Sequence, residues 1–210
     1  MSVSAWLRKG EIEASKINCQ PFNQALFEEK LIEIKKLTRK KNPINFIFDL
    51  QNICAETGVA VVFVKNPKGC TASGAAYHIS EKKAIIILSF RYLSDDQFWF
   101  TFFHEAGHIL LHKKGVFVEE LNHDGLDDEE EKEANAFSTN ILLSKEAQSQ
   151  LNSLELSMEG IARFAINNGI SPGILIGQLQ YIGRIGYHQL NGYKRRYTWT
   201  DISSILNDKI

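Results

Sequence analysis

The sequence is short of several things, and each shortage closes off a class of protein. It has three cysteines in 210 residues, Cys19, Cys54 and Cys70, odd in number and with no C-x-x-C pair. That argues against a disulfide framework or a cysteine zinc knuckle and reads as reduced thiols. Neither sign of charge is in excess: the formal net charge is -1, which gives no global electrostatic footprint for nucleic acid. No apolar run approaches the roughly 20 residues that span a bilayer. Residues 1–10 show no apolar stretch followed by a cleavage site. Internal repeats and low-complexity tracts are missing too. What is left is an ordinary globular composition, 44% hydrophobic, in a chain long enough for one domain or one domain with an appendage. The expectation is a cytoplasmic soluble protein with no membrane contact.

Residues 1 to about 57 read as helical. Leu26, Phe27, Leu31, Ile34 and Leu37 recur at helical spacing, and Pro43 opens a further helix that Gly58 can end. Val59–Val64 is a β-branched run broken by the turn Asn66-Pro67-Lys68-Gly69, and Gly74–Ile79 and Ala84–Leu88 read as two more strands. Ser94 with Gln97 has the spacing of a capping box for a helix running to about Lys114 and stopping at Gly115. Residues 119–133 are strongly acidic, read as largely solvated surface with a loop at Asn122–Gly125, and Asp128 to about Leu143 forms another helix. Short helices follow, punctuated by Gly160, Gly169 and Pro172. The fold class is α+β: a helical segment over 1–43, a core over 44–145, and a helical extension over 146–210 packed on that core.

One motif decides the chemistry. Phe103-His104-Glu105-Ala106-Gly107-His108 contains H-E-x-x-H, which on a helix stacks two imidazoles one turn apart on one face, where they can share a metal ion. Glu105 then lies where a carboxylate can take a proton from water. Apolar residues flank the motif from Phe98 to Leu111, so the helix is expected to be buried, and a buried His-Glu-His series needs a reason such as metal.

A catalytic zinc site takes three protein ligands, so a third is required. His112 continues the i, i+4, i+8 series but lies roughly 12 Å from His104 along a regular helix, too far to share one ion; it reads as a helix-end residue or a hydrogen-bond partner of a ligand. On the acidic helix, Ala134, Phe137, Ser138, Ile141 and Leu142 define the inward face. Glu133 projects well off that face and should see solvent, while Glu130 and Glu131 lie at its margins. Asn135, one turn after Glu131, could orient a ligating carboxylate or imidazole, which favours Glu131. An acidic cluster serving the helix dipole would explain all three glutamates without metal.

The stretch Phe98–His112 resembles the signature helix of the ImmA/IrrE metallopeptidases, and Glu131–Asn135 with Ala134 and Phe137 resembles that family's second motif. The strands around Gly74–Tyr77 and Ile85–Leu88 and the tail Ile170–Gln180 are similar as well, so the likeness covers roughly residues 45–185. Ser144 departs from it, standing where proline is frequent. The resemblance implies a zincin-type, gluzincin-like fold, Zn2+ held by His104, His108 and Glu131, and Glu105 as the catalytic base. It also implies a protein substrate of the repressor or antitoxin kind. Residues 1–45 resemble the stretch that links a helix-turn-helix module to the peptidase in fused members.

A donor to the tetrahedral oxyanion is still needed, and Tyr77, His78, His112 and His123 are the possibilities, Tyr77 also fitting a packed strand aromatic. Two rival readings stand beside the peptidase. One is a zinc-binding partner-recognition module without cleavage, against which the intact Glu105 argues. The other is a DNA-binding helix-turn-helix over 160–181, with Ser171 capping and Pro172 first in its second helix. That helix offers only Gln178 and Gln180 to bases, with Lys194, Arg195 and Arg196 left for phosphates, so direct DNA binding is not expected. The loop between Gly115 and Asp127 is placed to gate the site or to recognise a basic segment.

Overall fold

The computed structural model describes residues 3–112, 115–120 and 129–207. Four strands form one sheet: β1 (Val59–Phe63), β2 (Ala72–Ser80), β3 (Lys83–Leu88) and β4 (Phe117–Glu120), in the order β1-β3-β2-β4. β1 pairs parallel with β3, whereas β2 is antiparallel to both β3 and β4. β4 is a correction, because its residues read as part of an acidic loop. Only Phe117 and Val118 carry strand character there, and the ladder to Ala75 and Ala76 of β2 supplies the rest.

Helices cover both faces of the sheet. On one lie α2 (Gln24–Leu37), α3 (Ile47–Glu56), α4 (Asp95–Leu111), α5 (Glu129–Leu142), α6 (Lys145–Gln150), α7 (Met158–Asn167), α8 (Pro172–Tyr181) and α9 (Trp199–Asn207). These contribute to a single apolar cluster that includes Phe27, Leu50, Val61, Ile86, Phe102, Leu142, Ile161, Leu175 and Ile202. On the other face lies α1 (Val3–Ser15), whose Trp6 is buried against Val62, Ile85 and Ile87 and donates its indole N–H to Val64 O at 2.8 Å. The first 43 residues therefore belong to the same two cores as the sheet. α3 ends where expected, with Gly58 at φ +90°, the left-handed conformation that follows many helix ends.

Parity in β2 decides what reaches α4. Gly74, Ala76 and His78 face it, while Ala75 and Tyr77 face α1. At Gly74 a Cβ would overlap Glu105 Oε1 and lie 2.8 Å from Glu105 Cγ. Glycine here marks a close approach of strand to helix. Gly173 and Gly177 do the same for α8, since a Cβ at either would crowd Asp95 or Asp96 at the start of α4.

The start of α4 corrects a second expectation. Ser94 makes no side-chain cap. Its backbone instead bridges to Arg196, and the neighbouring Asp95 does the capping. That carboxylate is fully buried and accepts from the backbone N–H of Asp96 (3.0 Å) and of Arg195 (3.0 Å) and from the Ser171 hydroxyl (2.6 Å). Burial raises the Asp95 pKa, with the Ser171 bond opposing the rise. Two of the three cations that the DNA-binding reading would have left for phosphates, Lys194 and Arg195, are engaged here too. Lys194 pairs with Asp96 at 2.6 Å, and Arg195 donates to the carbonyls of Thr38 and Lys40. α8 does have Ser171 as its cap and Pro172 first, but Gln178 and Gln180 are buried along with most of the helix, which packs on α4. Among the described residues, no helix is long and apolar enough to cross a membrane.

Candidate metal centre and active site

α4 carries the motif through the middle of the protein, with Phe98, Trp99, Phe102 and Phe103 buried before it and Ile109 and Leu110 buried after it. The small pair Ala106-Gly107 lets α5 come close: a Cβ on Gly107 would sit 3.2–3.3 Å from Phe137 and from the Ala134 backbone. α5 crosses at that point, and Ser138 locks it by donating to Phe100 O at 3.0 Å. This contact carries the N-terminal turn of α5 over the two histidines.

The result is a tight group. His104 Nε2 and His108 Nε2 are 3.0 Å apart, and Glu131 straddles them, Oε2 3.3 Å from the first and Oε1 3.3 Å from the second. One ligand atom from each residue falls within 4.8 Å of the others. Both imidazoles are 1% exposed, while the Glu131 side chain keeps a quarter of its surface open to water. Burial lowers the His108 pKa, despite the hydrogen bond to Glu131, and so favours its neutral form. Burial also works against ionisation of Glu131, but the two imidazoles beside it outweigh that and hold this carboxyl well below the usual range.

The donor chemistry fits a metal. Asn135 Oδ1 lies 3.0 Å from His104 Nδ1; an amide oxygen accepts, so Nδ1 carries the proton and Nε2 presents a lone pair to the group. The His104 lone pair, the His108 ring nitrogen and the Glu131 carboxylate converge closely, and a metal ion between them would hold all three. Two nitrogens and a carboxylate oxygen are the ligand types of a catalytic zinc site. Of the glutamates at the helix margin, Glu131 is the one in the group, and Asn135 orients an imidazole, one of the two roles open to it.

Glu105 is fully buried between α4 and β2, against Gly74 and beside Thr101. The remaining sequence candidates lie elsewhere. Tyr77 is on the opposite sheet face and donates its hydroxyl to Glu11 Oε1 at 3.1 Å, which takes it away from the metal group; burial and that bond raise its pKa. His78 faces α4 but meets Ile109 O at 3.1 Å and the edge of Phe22. His112 caps the end of α4 in extended conformation and is engaged on both ring nitrogens, with His108 Nδ1 at 3.0 Å and Glu133 Oε2 at 2.9 Å. Glu133 is exposed, as expected, and its carboxylate reaches the outer nitrogen of the His112 ring. His123 and most of the acidic loop lie outside the described residues.

The Peptidase_M78 family model, an IrrE N-terminal-like domain, matches residues 54–166, just over half of the chain. The chain belongs to this peptidase family. No curated protein matches it significantly. The matched span of this family member runs from the end of α3 into α7 and so contains the sheet and every residue of the metal group. Two site residues were missed in the sequence: Gly74, whose signal was a glycine inside a strand, and Phe117, whose ring stacks on His108 at 4.2 Å and 10°. Phe117 carried no signal, because β4 was not recognisable.

Proposed function

We propose that this family member is a zinc-dependent peptidase of restricted specificity that acts on a regulatory protein of the repressor or antitoxin class. The observation that carries the reading is Glu131 bridging the two Nε2 atoms while Glu105 is wedged one residue away against Gly74. His104, His108 and Glu131 would hold the metal, which when bound lowers the pKa of a water and polarises a carbonyl. Glu105 accepts the water proton and delivers it to the leaving amine. Thr101 and Gly74 limit the positions its carboxylate can adopt, and Asn135 holds His104 in the tautomer that ligation needs. A partner-recognition module without cleavage would not need a glycine cut away to accommodate the base, and this favours the enzyme.

A peptide also needs a place for its side chains. An open cavity of about 160 Å³ lies at the N-terminal half of α4, lined by Asp96, Gln97, Phe100, Ile174, Tyr181 and Tyr187 among others. Phe100 is one turn before His104, their ring centres 6.3 Å apart. Restraint in substrate choice follows from the danger that a freely cutting peptidase poses to its own cell, and the acidic composition of residues 119–133 suits a basic partner segment.

The test is co-expression with the regulator encoded beside the gene, with casein as the comparison. The reading expects metal-dependent cleavage of the regulator that weakens at high salt, and little digestion of casein. Efficient digestion of casein would remove the restraint. No cleavage of any protein by the zinc-loaded chain would remove the peptidase.

A further inference from the structure

The chain of contacts behind His108 has a direction, and one surface carboxylate sets it. His108 Nδ1 meets His112 Nδ1 at 3.0 Å, and His112 Nε2 meets Glu133 Oε2 at 2.9 Å. A neutral imidazole carries one N–H and one lone pair, so a two-ring chain joined Nδ1 to Nδ1 can run in two ways. In one, His112 donates through Nδ1 to His108, whose own proton must then sit on Nε2, the atom that faces His104 and Glu131. In the other, His112 keeps its proton on Nε2, accepts at Nδ1 from His108, and leaves His108 Nε2 with a free lone pair. An ionised carboxylate only accepts. Placed at His112 Nε2, it selects the second arrangement.

We infer that Glu133, acting through His112, is a positioning residue that fixes the ligating tautomer of His108, as Asn135 does for His104. This rests on the reading of His108 as a metal ligand. The two imidazoles thus have separate supports from the same helix: Asn135 directly on His104, and Glu133 through one intervening ring on His108. His112 suits the relay because α4 ends at Leu111, and the extended backbone of His112 turns its ring between His108 and α5. Phe117 stacks on His108 and lies 5.4 Å from the His112 ring centre, walling the relay on the β4 side. The Glu133 side chain is 53% exposed, so its replacement should leave the fold intact.

The test separates acceptor from donor. In the metal-free protein at about pH 8, long-range proton–nitrogen-15 correlation spectra should place the proton of His108 on Nδ1 and that of His112 on Nε2. Glu133→Lys presents a donor where the chain needs an acceptor; it should reverse His112 and weaken zinc binding by about 10–100-fold, the range for loss of a ligand's partner. Glu133→Gln keeps an amide oxygen and should lose less. Glu129→Lys, an exposed change on the same helix, controls for added charge and should stay within about threefold of the wild type. A wild-type His108 protonated on Nε2, or a Glu133→Lys affinity equal to that of Glu129→Lys, would overturn the inference. The tautomer measurement involves no cleavage, so it stands or falls apart from the peptidase reading.

Discussion

The two halves of α4 are built on different physics. The first half, beyond the polar anchor at Asp95 and Asp96, is held by shape from Phe98 to Phe103. Phe98, Trp99, Phe102 and Phe103 are at most 4% exposed, and rings from β1, the turn after β3 and the segment after α8 pack around Phe98. The second half, His104 to His112, is held by polar contacts made mainly with one neighbour, α5. Apolar packing tolerates small adjustments, but a ligand group does not, since its atoms must be held to within about 0.5 Å. The lesson is a division of labour. The aromatic half gives the helix its place against the sheet, and the polar half uses that fixed frame to aim side chains at one point.

This division can be broken from either end. The largest effect is expected from Glu105→Gln, which keeps shape and metal but removes the base. Cleavage of the identified partner should fall by about 10²–10⁴-fold with zinc content unchanged, and undiminished turnover would sink the proposed mechanism. Phe102→Ala attacks the other half. Denaturant unfolding should show a loss of about 3–5 kcal/mol, while the protein that remains folded binds zinc as before; a selective loss of zinc affinity would erase the distinction between the halves. Gly74→Ala sits between the two cases. The added methyl displaces Glu105, and a shift near 1 Å should cost about 10²-fold in rate with the metal retained.

The smallest effect concerns pH. His108 has its pKa lowered by burial, so the unfolded chain binds the proton more readily than the folded one. Its contribution is fully present above the ordinary imidazole value of 6.5 and is lost as pH falls below it. Glu131, also lowered, adds a loss of the same sign below 4.5. Melting temperatures of the metal-free protein should therefore drop between about pH 7 and 5, and the drop should be shallower in His108→Gln. An equal drop in that variant would assign the acid sensitivity elsewhere.

How far the sequence revealed this arrangement differs by residue. The aromatic half and the paired histidines could be read because each rests on a period within one helix, whereas for the third ligand the period left Glu130 and Glu131 both open and Asn135 one turn on favoured the latter. Tyr77 could not be placed, because strand parity tells which residues share a face but not which face meets α4. Glu133 is exposed, as the helical wheel of α5 has it, but its bond to His112 was not legible, because His112 stands beyond the regular end of α4. β4 and the burial of Trp6 depend on strands and helices far apart in sequence. Ser94 had the capping pattern, but the long-range bridge to Arg196 left that task to Asp95.

The most direct measurement of the central claim is zinc stoichiometry by native mass spectrometry on the wild type, Glu131→Gln and Glu133→Gln at one buffered free-zinc concentration near saturation. The account predicts about one zinc per wild-type chain, little or none on Glu131→Gln, and most of it kept by Glu133→Gln. A Glu131→Gln protein that binds zinc like the wild type, with Glu133→Gln empty, would contradict it.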